Sequence, residues 1–229
     1  MAALPFSNPE FKAIADLMHE AVGLSFNDSK KSLIHSRLSS RIHKLGLQSF
    51  ADYIGILRDE RQGAEFQMAV DLLTTNETYF FREPKHYDLL QQELPLMRDK
   101  AALQVWSAAS SFGDEAYSTA MLMTDLQVSG RIGPGWSILG TDISHRALLS
   151  AKEAVFPQDR LRAVSPERLK RYCLRGEGDA EGQVLLQDKI RERVKFGQLN
   201  LCKPFDGLGP FDVVFLRNVL IYFDAPTKS

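Results

Sequence analysis

Residues 104–127 read QVWSAASSFGDEAYSTAMLMTDLQ, and the succession of textures in that stretch decides the fold. A short apolar run, "QVWSAAS", meets a turn holding one glycine, Gly113, and passes into a helical segment, "EAYSTAMLMTDLQ". The same order returns further on, where "SILGTDI" leads into "SHRALLSAKEAV", and a third apolar run, "FDVVFLRN", lies near the end. Short strands that are apolar on both faces and alternate with helices belong to a parallel sheet covered on both sides. The expected class for this part of the chain is therefore α/β, with a doubly wound sheet.

Upstream the pattern is purely helical. "PEFKAIADLMHEAVGL", "DSKKSLIHSRLSSRIHKLG", "SFADYIGILRD" and "AEFQMAVDLLT" each read as one short helix, and nothing before Pro84 reads as a buried strand. Asp28 or Ser29 is the expected N-cap of the second helix and Gly46 its stop. Downstream, "LRGEGDAEGQVLLQDKIRERVKF" flanks short alternating pieces with glycines and charges, the texture of a small antiparallel insertion. The chain thus divides into a helical part with an inter-domain arm, residues 1–85, and an α/β part, residues 86–229, with the insertion at about 172–195.

Composition narrows the function. The 229 residues are 44% apolar, enough for a buried core, and 25% charged with a formal net charge of −1. Nothing global favours a nucleic-acid or membrane partner, so charge recognition has to come from a local patch. Cys173 and Cys202 have neither metal-ligand spacing nor the density of a disulfide scaffold, and are expected to be reduced thiols. Charges at Glu10, Lys12 and Asp16 interrupt what would be a signal-peptide core, and no run approaches the ~20 apolar residues of a membrane span. The expected compartment is the cytoplasm, without membrane insertion.

Ligands of open α/β sheets bind at the carboxyl ends of the strands, so the residues there carry the chemistry. The turn after the first strand has one glycine where a dinucleotide site needs three, which argues against a diphosphate ligand. Asp142, in "LGTDIS" about thirty residues on, either accepts both hydroxyls of a ribose or caps the helix that follows. A one-glycine turn, an acid at that spacing and no phosphate site together point to a nucleoside without phosphates, of which S-adenosylmethionine is the common example. Asn200 offers an amide to an adenine edge. Arg217, Asn218 and Tyr222 follow the last strand and belong at the same crevice.

Four ordered motifs, "LTTNETYFFREPKHY", "WSAASSFGDEAYSTAM", "LGTDIS" and "NL" followed by "GPFDVVFLRNVLIYFD", resemble the signatures of the chemoreceptor glutamate O-methyltransferases of bacterial chemotaxis, the CheR family. The resemblance implies an all-α N-terminal domain, a Rossmann-like domain dependent on S-adenosylmethionine, and a small β-subdomain. It assigns cofactor contacts to Asn76, Thr78, Arg82, Glu115, Asp142, Asn200, Leu201, Arg217 and Asn218, and places Arg82 and Tyr222 nearest the transferred methyl as catalytic residues. Residues 73–83 become a lid between the domains, with Tyr79, Phe80 and Phe81 excluding water. The implied reaction converts glutamate side chains of chemoreceptors to methyl esters, releasing S-adenosylhomocysteine, with no metal. An ionised carboxylate needs no general base, so none of the five histidines is required at the site.

Partner recognition is read from charge. Between residues 29 and 50 there are five basic residues and no acid, and Lys30, Arg37, Arg41 and Lys44 share one helical face. Ile34, Leu38, Ile42 and Leu45 form a separate apolar stripe. The resemblance implies that the basic face docks the acidic methylation helices of a receptor, and that the β-subdomain is the part which in some members of the family takes a receptor C-terminal peptide by strand addition. Two alternatives are a non-catalytic scaffold that binds the cofactor, and a nucleic-acid methyltransferase. "RNVLIYF" stands where amino-methylating enzymes carry an Asn/Asp-Pro-Pro-aromatic motif, which disfavours the second. The chain stops at "IYFDAPTKS", whereas the family continues through a further helix and strands, so the C-terminal part of the sheet is expected to be missing here and "FDVVFL" to lie at an apolar edge.

Overall fold

The computed structural model describes residues 4–59, 63–205 and 207–228. Four helices come first: α1 (Asn8–Val22), α2 (Lys31–Lys44), α3 (Phe50–Asp59) and α4 (Ala64–Leu73). They bury Phe11, Ile14, Met18, Ile34, Leu38, Ile42, Phe50, Tyr53 and Leu57 in one core. Ser7 and Glu10 close a reciprocal capping box on α1. Helix α2 ends as the glycine foretold: Gly46 is left-handed, and the Gly46 and Leu47 N–H groups donate to the His43 and Ile42 carbonyls. Its start differs from expectation. Asp28–Lys30 forms a 3-10 turn, and no side chain caps the first turn of α2. Leu45 also leaves the apolar stripe: at the C-cap it is 37% exposed, because the backbone has begun to turn away.

Two members of the expected basic face are committed within the domain. Arg41 forks onto both oxygens of buried Glu65, which also accepts a hydrogen bond from the Tyr53 hydroxyl at 2.8 Å. Arg37 donates to the Leu73 and Thr74 carbonyls at 2.9 and 3.1 Å and to the Thr75 hydroxyl. Only Lys30 and Lys44 remain exposed. The expected four-residue face is corrected: packing of α2 on α4 turns Arg37 and Arg41 inward, and of the four only the two lysines stay in solvent. Arg41→Ala strands the Glu65 carboxylate in the core, and a loss of about 2–3 kcal/mol is expected. Lys44→Ala should cost less than about 0.5 kcal/mol. Urea midpoints of the two variants check the contrast.

The second core starts at helix α5 (Pro84–Glu93) and surrounds a four-stranded sheet of β1 (Leu103–Ser107), β2 (Trp136–Asp142), β6 (Val194–Gln198) and β7 (Val213–Phe215). Every pairing is parallel and the order is β6-β2-β1-β7. Helix α6 (Asp114–Val128) links β1 to β2, and α7 (His145–Glu153) follows β2. Helix α6 is buried on nearly all sides, which explains why "STAMLMT" lacks a polar face. The chain thus runs outward from β1 to β2 and β6, then returns to the other side of β1 as β7. The neighbouring pair β1 and β7 is where the winding reverses.

The insertion is a separate antiparallel sheet, β3-β5-β4, of β3 (Val155–Pro157), β4 (Cys173–Arg175) and β5 (Gln183–Leu186). Helices α8 (Pro166–Tyr172) and α9 (Asp188–Arg191) flank it. The expected span of 172–195 is corrected at both ends. The insertion begins at β3, whose three residues are too short to show a period. Val194 already belongs to β6, a strand of the main sheet read before as part of the insertion, because Lys195 and Gln198 give an edge strand a polar look. At the opposite edge, Val214 and Leu216 of the last apolar run are 51% and 44% exposed. Cys173 and Cys202 are both free thiols. No helix among the described residues is long and apolar enough to cross a membrane.

Candidate active site

Four strand ends and the arm converge on one cleft. Ala108–Ser111 follow β1, Asp142 and Ile143 close β2, Leu199–Leu201 follow β6, and Arg217–Val219 follow β7. This is the crevice at the carboxyl ends of the strands beside the reversal of winding. The Ser110 and Leu199 N–H groups donate to the Thr141 and Asp142 carbonyls, and Ala108 N–H to Phe215 O, so main-chain bonds hold the loops at the mouth of the sheet. Gly113, left-handed at φ 90°, lets α6 start tightly after β1: a Cβ there would lie 2.9 Å from the Phe196 ring.

All ten cofactor and catalytic residues expected from the sequence line this cleft: Asn76, Thr78, Arg82, Glu115, Asp142, Asn200, Leu201, Arg217, Asn218 and Tyr222. Of the histidines, none is among the lining residues. The helical domain supplies further walls that sequence reasoning missed, Val22 and Leu24 at the end of α1. Gly23 between them is left-handed, and a Cβ there would lie 2.4 Å from the Cys202 sulfur, so only glycine lets α1 come this close. Ser110 was missed as well, since nothing distinguishes it from its small neighbours in "SAASS".

The acids are held in defined states. Asp142 accepts the Ser111 N–H at 2.8 Å on one oxygen and the Ser144 N–H at 2.9 Å on the other, and lines the cleft. The cap of α7 is Ser144, whose hydroxyl accepts the Ala147 N–H. Asp142 is thus not the cap of that helix, and its backbone bonds steady the turn beside the cleft. Burial pushes the Asp142 carboxyl above the ordinary carboxylate range, against the pull of the surrounding N–H groups. Glu115 is also shifted upward by burial, opposed by the Ser107 hydroxyl at 2.7 Å and the Arg217 guanidinium at 3.0 Å. Asn200 is less free than expected: its amide N–H donates to Ala21 O and its oxygen accepts from Cys202 N–H, which ties α1 to the loop after β6.

The arm is packed as part of the second core. Phe80 is fully buried edge-on against Phe156, and Phe81 tilts onto Tyr87. These two rings are anchors, a correction to their expected place as lid faces, and only Tyr79 of the three borders the cleft. Phe80 N–H donates to Arg160 O and Phe81 N–H to Ser118 Oγ, holding Phe81 and Glu83 in the left-handed region at φ 54° and 57°. Arg217 then fixes Arg82 from below, donating to the Arg82 carbonyl at 2.6 Å and pairing with Glu83 at 3.2 Å. Among the described residues the Arg82 guanidinium makes one hydrogen bond, to Glu77 O at 2.7 Å. Its other donors remain for a ligand.

The cleft has about 240 Å³ of solvent-sized space, against about 30 Å³ for one water, so it holds a small molecule. Asn76 Nδ2, Ser110 Oγ and Arg217 Nε are buried without a hydrogen-bond partner among the described residues, and all three belong to lining residues. An unsatisfied buried polar atom costs about 1–3 kcal/mol, which a polar ligand relieves. Two acids on the floor, Asp142 and Glu115, disfavour phosphates and suit hydroxyl and ammonium donors. The donor set fits a nucleoside with an amino-acid tail, as in S-adenosylmethionine.

Fold and cleft define an α/β protein with a nucleoside-sized polar cleft at the strand ends. The comparisons with known proteins carry this further: residues 76–229 match the family model described as "CheR methyltransferase, SAM binding domain", and residues 9–74 match "CheR methyltransferase, all-alpha domain". The chain belongs to the CheR methyltransferase family and uses S-adenosylmethionine. It is 36% identical to the "Chemotaxis protein methyltransferase" of Escherichia coli, over 99% of this chain and 78% of that protein. It is 37% identical to "Chemotaxis protein methyltransferase 2" of Pseudomonas aeruginosa, over 98% and 79%. The Borreliella burgdorferi relative of the same name as the first is 34% identical over 96% and 80%.

Proposed function

We propose that the protein methylates glutamate side chains on the cytoplasmic helices of bacterial chemoreceptors, giving methyl esters and S-adenosylhomocysteine. The observation that carries this is the convergence of an arginine with free donors, Arg82, and three unsatisfied buried polar atoms on one cleft at the strand ends. When bound, S-adenosylmethionine supplies an electrophilic methyl on a positively charged sulfur. That methyl would pass to a glutamate oxygen held by Arg82, with the carbon–sulfur electron pair remaining on the sulfur of the departing S-adenosylhomocysteine. The nucleophile, with a reference pKa of about 4.3, is already ionised at neutral pH.

The chain's own work is alignment and exclusion of water. Asp142 holds the ribose, Glu115 and Arg217 the amino-acid end, and Asn76 and Thr78 of the arm cover it. Arg82 orients the incoming carboxylate, and Tyr222, beside α1 through the Ser25 N–H to Tyr222 O bond, borders the same space. Strands β3 and β4 are both edges of the small sheet among the described residues, which supports the reading that a receptor peptide can add there as a strand.

Calorimetry with S-adenosylhomocysteine tests the cofactor site, and one-to-one binding is expected. Asp142→Ala should weaken that binding by about 10–100-fold, the scale of losing a charged acceptor for two hydroxyls. Transfer of labelled methyl to a receptor cytoplasmic fragment, as base-labile label that is lost when its glutamates are changed to alanine, tests the reaction. Label on the fragment that resists base would sink the ester assignment.

A further inference from the structure

Two cations at the mouth of the cleft share one aromatic ring. The guanidinium of Arg82 lies 6.0 Å and that of Arg162 5.0 Å from the centroid of Tyr79. Arg162 is exposed and follows the 3-10 turn Gln158–Leu161. That turn is anchored: Phe80 of the arm donates to Arg160 O, and the Arg160 guanidinium is paired with buried Asp114. Arg160 and Arg168 nearby are spent on carboxylates, whereas the Arg162 guanidinium meets only the Tyr79 ring among the described residues. An exposed cation on a ring face gains about 0.5–1 kcal/mol, enough to order the side chain and not enough to neutralise it.

The 6.0 and 5.0 Å separations from one centroid put the two charges within about 11 Å of each other. Side chains one helical turn apart have Cβ atoms about 5–6 Å apart, and two turns span about 11 Å. A helix that presents one carboxylate to Arg82 therefore brings an acidic neighbour one or two turns away within reach of Arg162. Arg37 and Arg41 are committed inside the helical domain, so this is a free cationic pair beside the entrance.

We infer that Arg162 is a substrate-recognition residue that receives a second carboxylate of the substrate helix, one or two turns from the glutamate that reacts. It selects acidic segments and acts on binding, leaving the chemical step to Arg82. The inference rests on the glutamate-methylation reading.

Steady-state kinetics with the glutamate form of a chemoreceptor cytoplasmic fragment test it. Arg162→Ala should raise KM for the fragment by about 3–5-fold, the range of an exposed charge pair. Arg162→Glu should raise it by about 10-fold or more, and Arg162→Lys should retain most of the affinity. Turnover at saturation and affinity for S-adenosylhomocysteine stay unchanged in all three. Replacing the neighbouring acid of the fragment by glutamine should raise KM for the wild-type chain and add nothing in Arg162→Ala. An unaltered KM in Arg162→Glu, or a loss in turnover or cofactor affinity instead, overturns the assignment. If the wild-type chain transfers no methyl to the fragment, the methylation reading falls and this one with it. A near-normal rate in Arg82→Ala would remove the role given to Arg82 and, with it, the spacing on which the assignment of Arg162 rests.

Discussion

Arg82→Ala is expected to lower turnover by at least about 100-fold, the scale of lost positioning at a reacting centre, while weakening S-adenosylhomocysteine by less than about 10-fold. The asymmetry follows from how the residue is held. Its backbone is fixed by Arg217 donating to the Arg82 carbonyl and by the left-handed Glu83 beside it, so removing the side chain leaves the arm in place. What is lost is a guanidinium whose one hydrogen bond among the described residues is to Glu77 O and whose remaining donors face the cleft. An interaction realised only as the carboxylate meets the methyl appears in kcat and in kcat/KM alike. Arg82→Lys should recover part of the rate, because a point charge attracts the carboxylate without fixing its plane. Single-turnover methyl transfer measures the chemical step directly. A variant within about threefold of the wild-type rate would take Arg82 out of the mechanism.

Arg217→Ala should act on stability and on cofactor binding together. Arg217 stands between Glu115, at 3.0 Å, and Glu83, at 3.2 Å, with its own side chain largely buried. Its removal strands the Glu115 carboxylate, and breaking such a pair costs about 3–5 kcal/mol. The deficit has a definite pH dependence. Burial already raises the folded pKa of Glu115 above its unfolded value, with Arg217 opposing. Without Arg217 the folded value rises further. A raised carboxyl favours the folded state when protonated, so its cost is absent below the unfolded pKa and grows as pH climbs through the folded one. Urea unfolding of the variant should therefore lag the wild type least in acid, fall further behind as pH rises past the ordinary carboxylate range, and hold that deficit at higher pH. Adding Glu115→Gln should restore most of the stability, since the stranded charge is gone, and none of the S-adenosylhomocysteine binding. Recovery of binding in the double variant would show that neither side chain touches the cofactor.

The two halves of the chain were legible to different depths. The βα units at 104–127 and 137–155 declared themselves because a buried parallel strand must be apolar on both faces, and that leaves a continuous run. Strand β6 did not: it lies at an edge, carries Lys195 and Gln198, and is recognisable only once β2 is seen beside it. Strand β3 is three residues long and has no period to detect. Asp142, Asn200, Arg217, Asn218 and Tyr222 were legible because position at a strand end is a local property, whereas Asn76, Thr78, Arg82, Glu115 and Leu201 were reached only through the resemblance to the family. The partners of these residues were not legible. That Asn200 is bonded to Ala21, or that Arg217 answers to Glu83, depends on contacts more than a hundred residues apart in sequence.

From the amino-acid order alone came the class of fold, the order of the ligand-bearing loops and the chemistry they favour, since strand and helix periods and turn residues are written locally. Only the tertiary structure decided which charges are free. Lys30, Arg37, Arg41 and Lys44 look equivalent along a helix, but packing of α2 against α4 and the arm satisfies the two arginines and leaves the lysines in solvent. The same packing pulls Phe80 and Phe81 into the second core and leaves Tyr79, with Arg82 and Arg162 on its ring, at the entrance. A side chain's charge is fixed by its covalent structure, but whether that charge is available depends on which neighbours the fold brings within hydrogen-bonding distance.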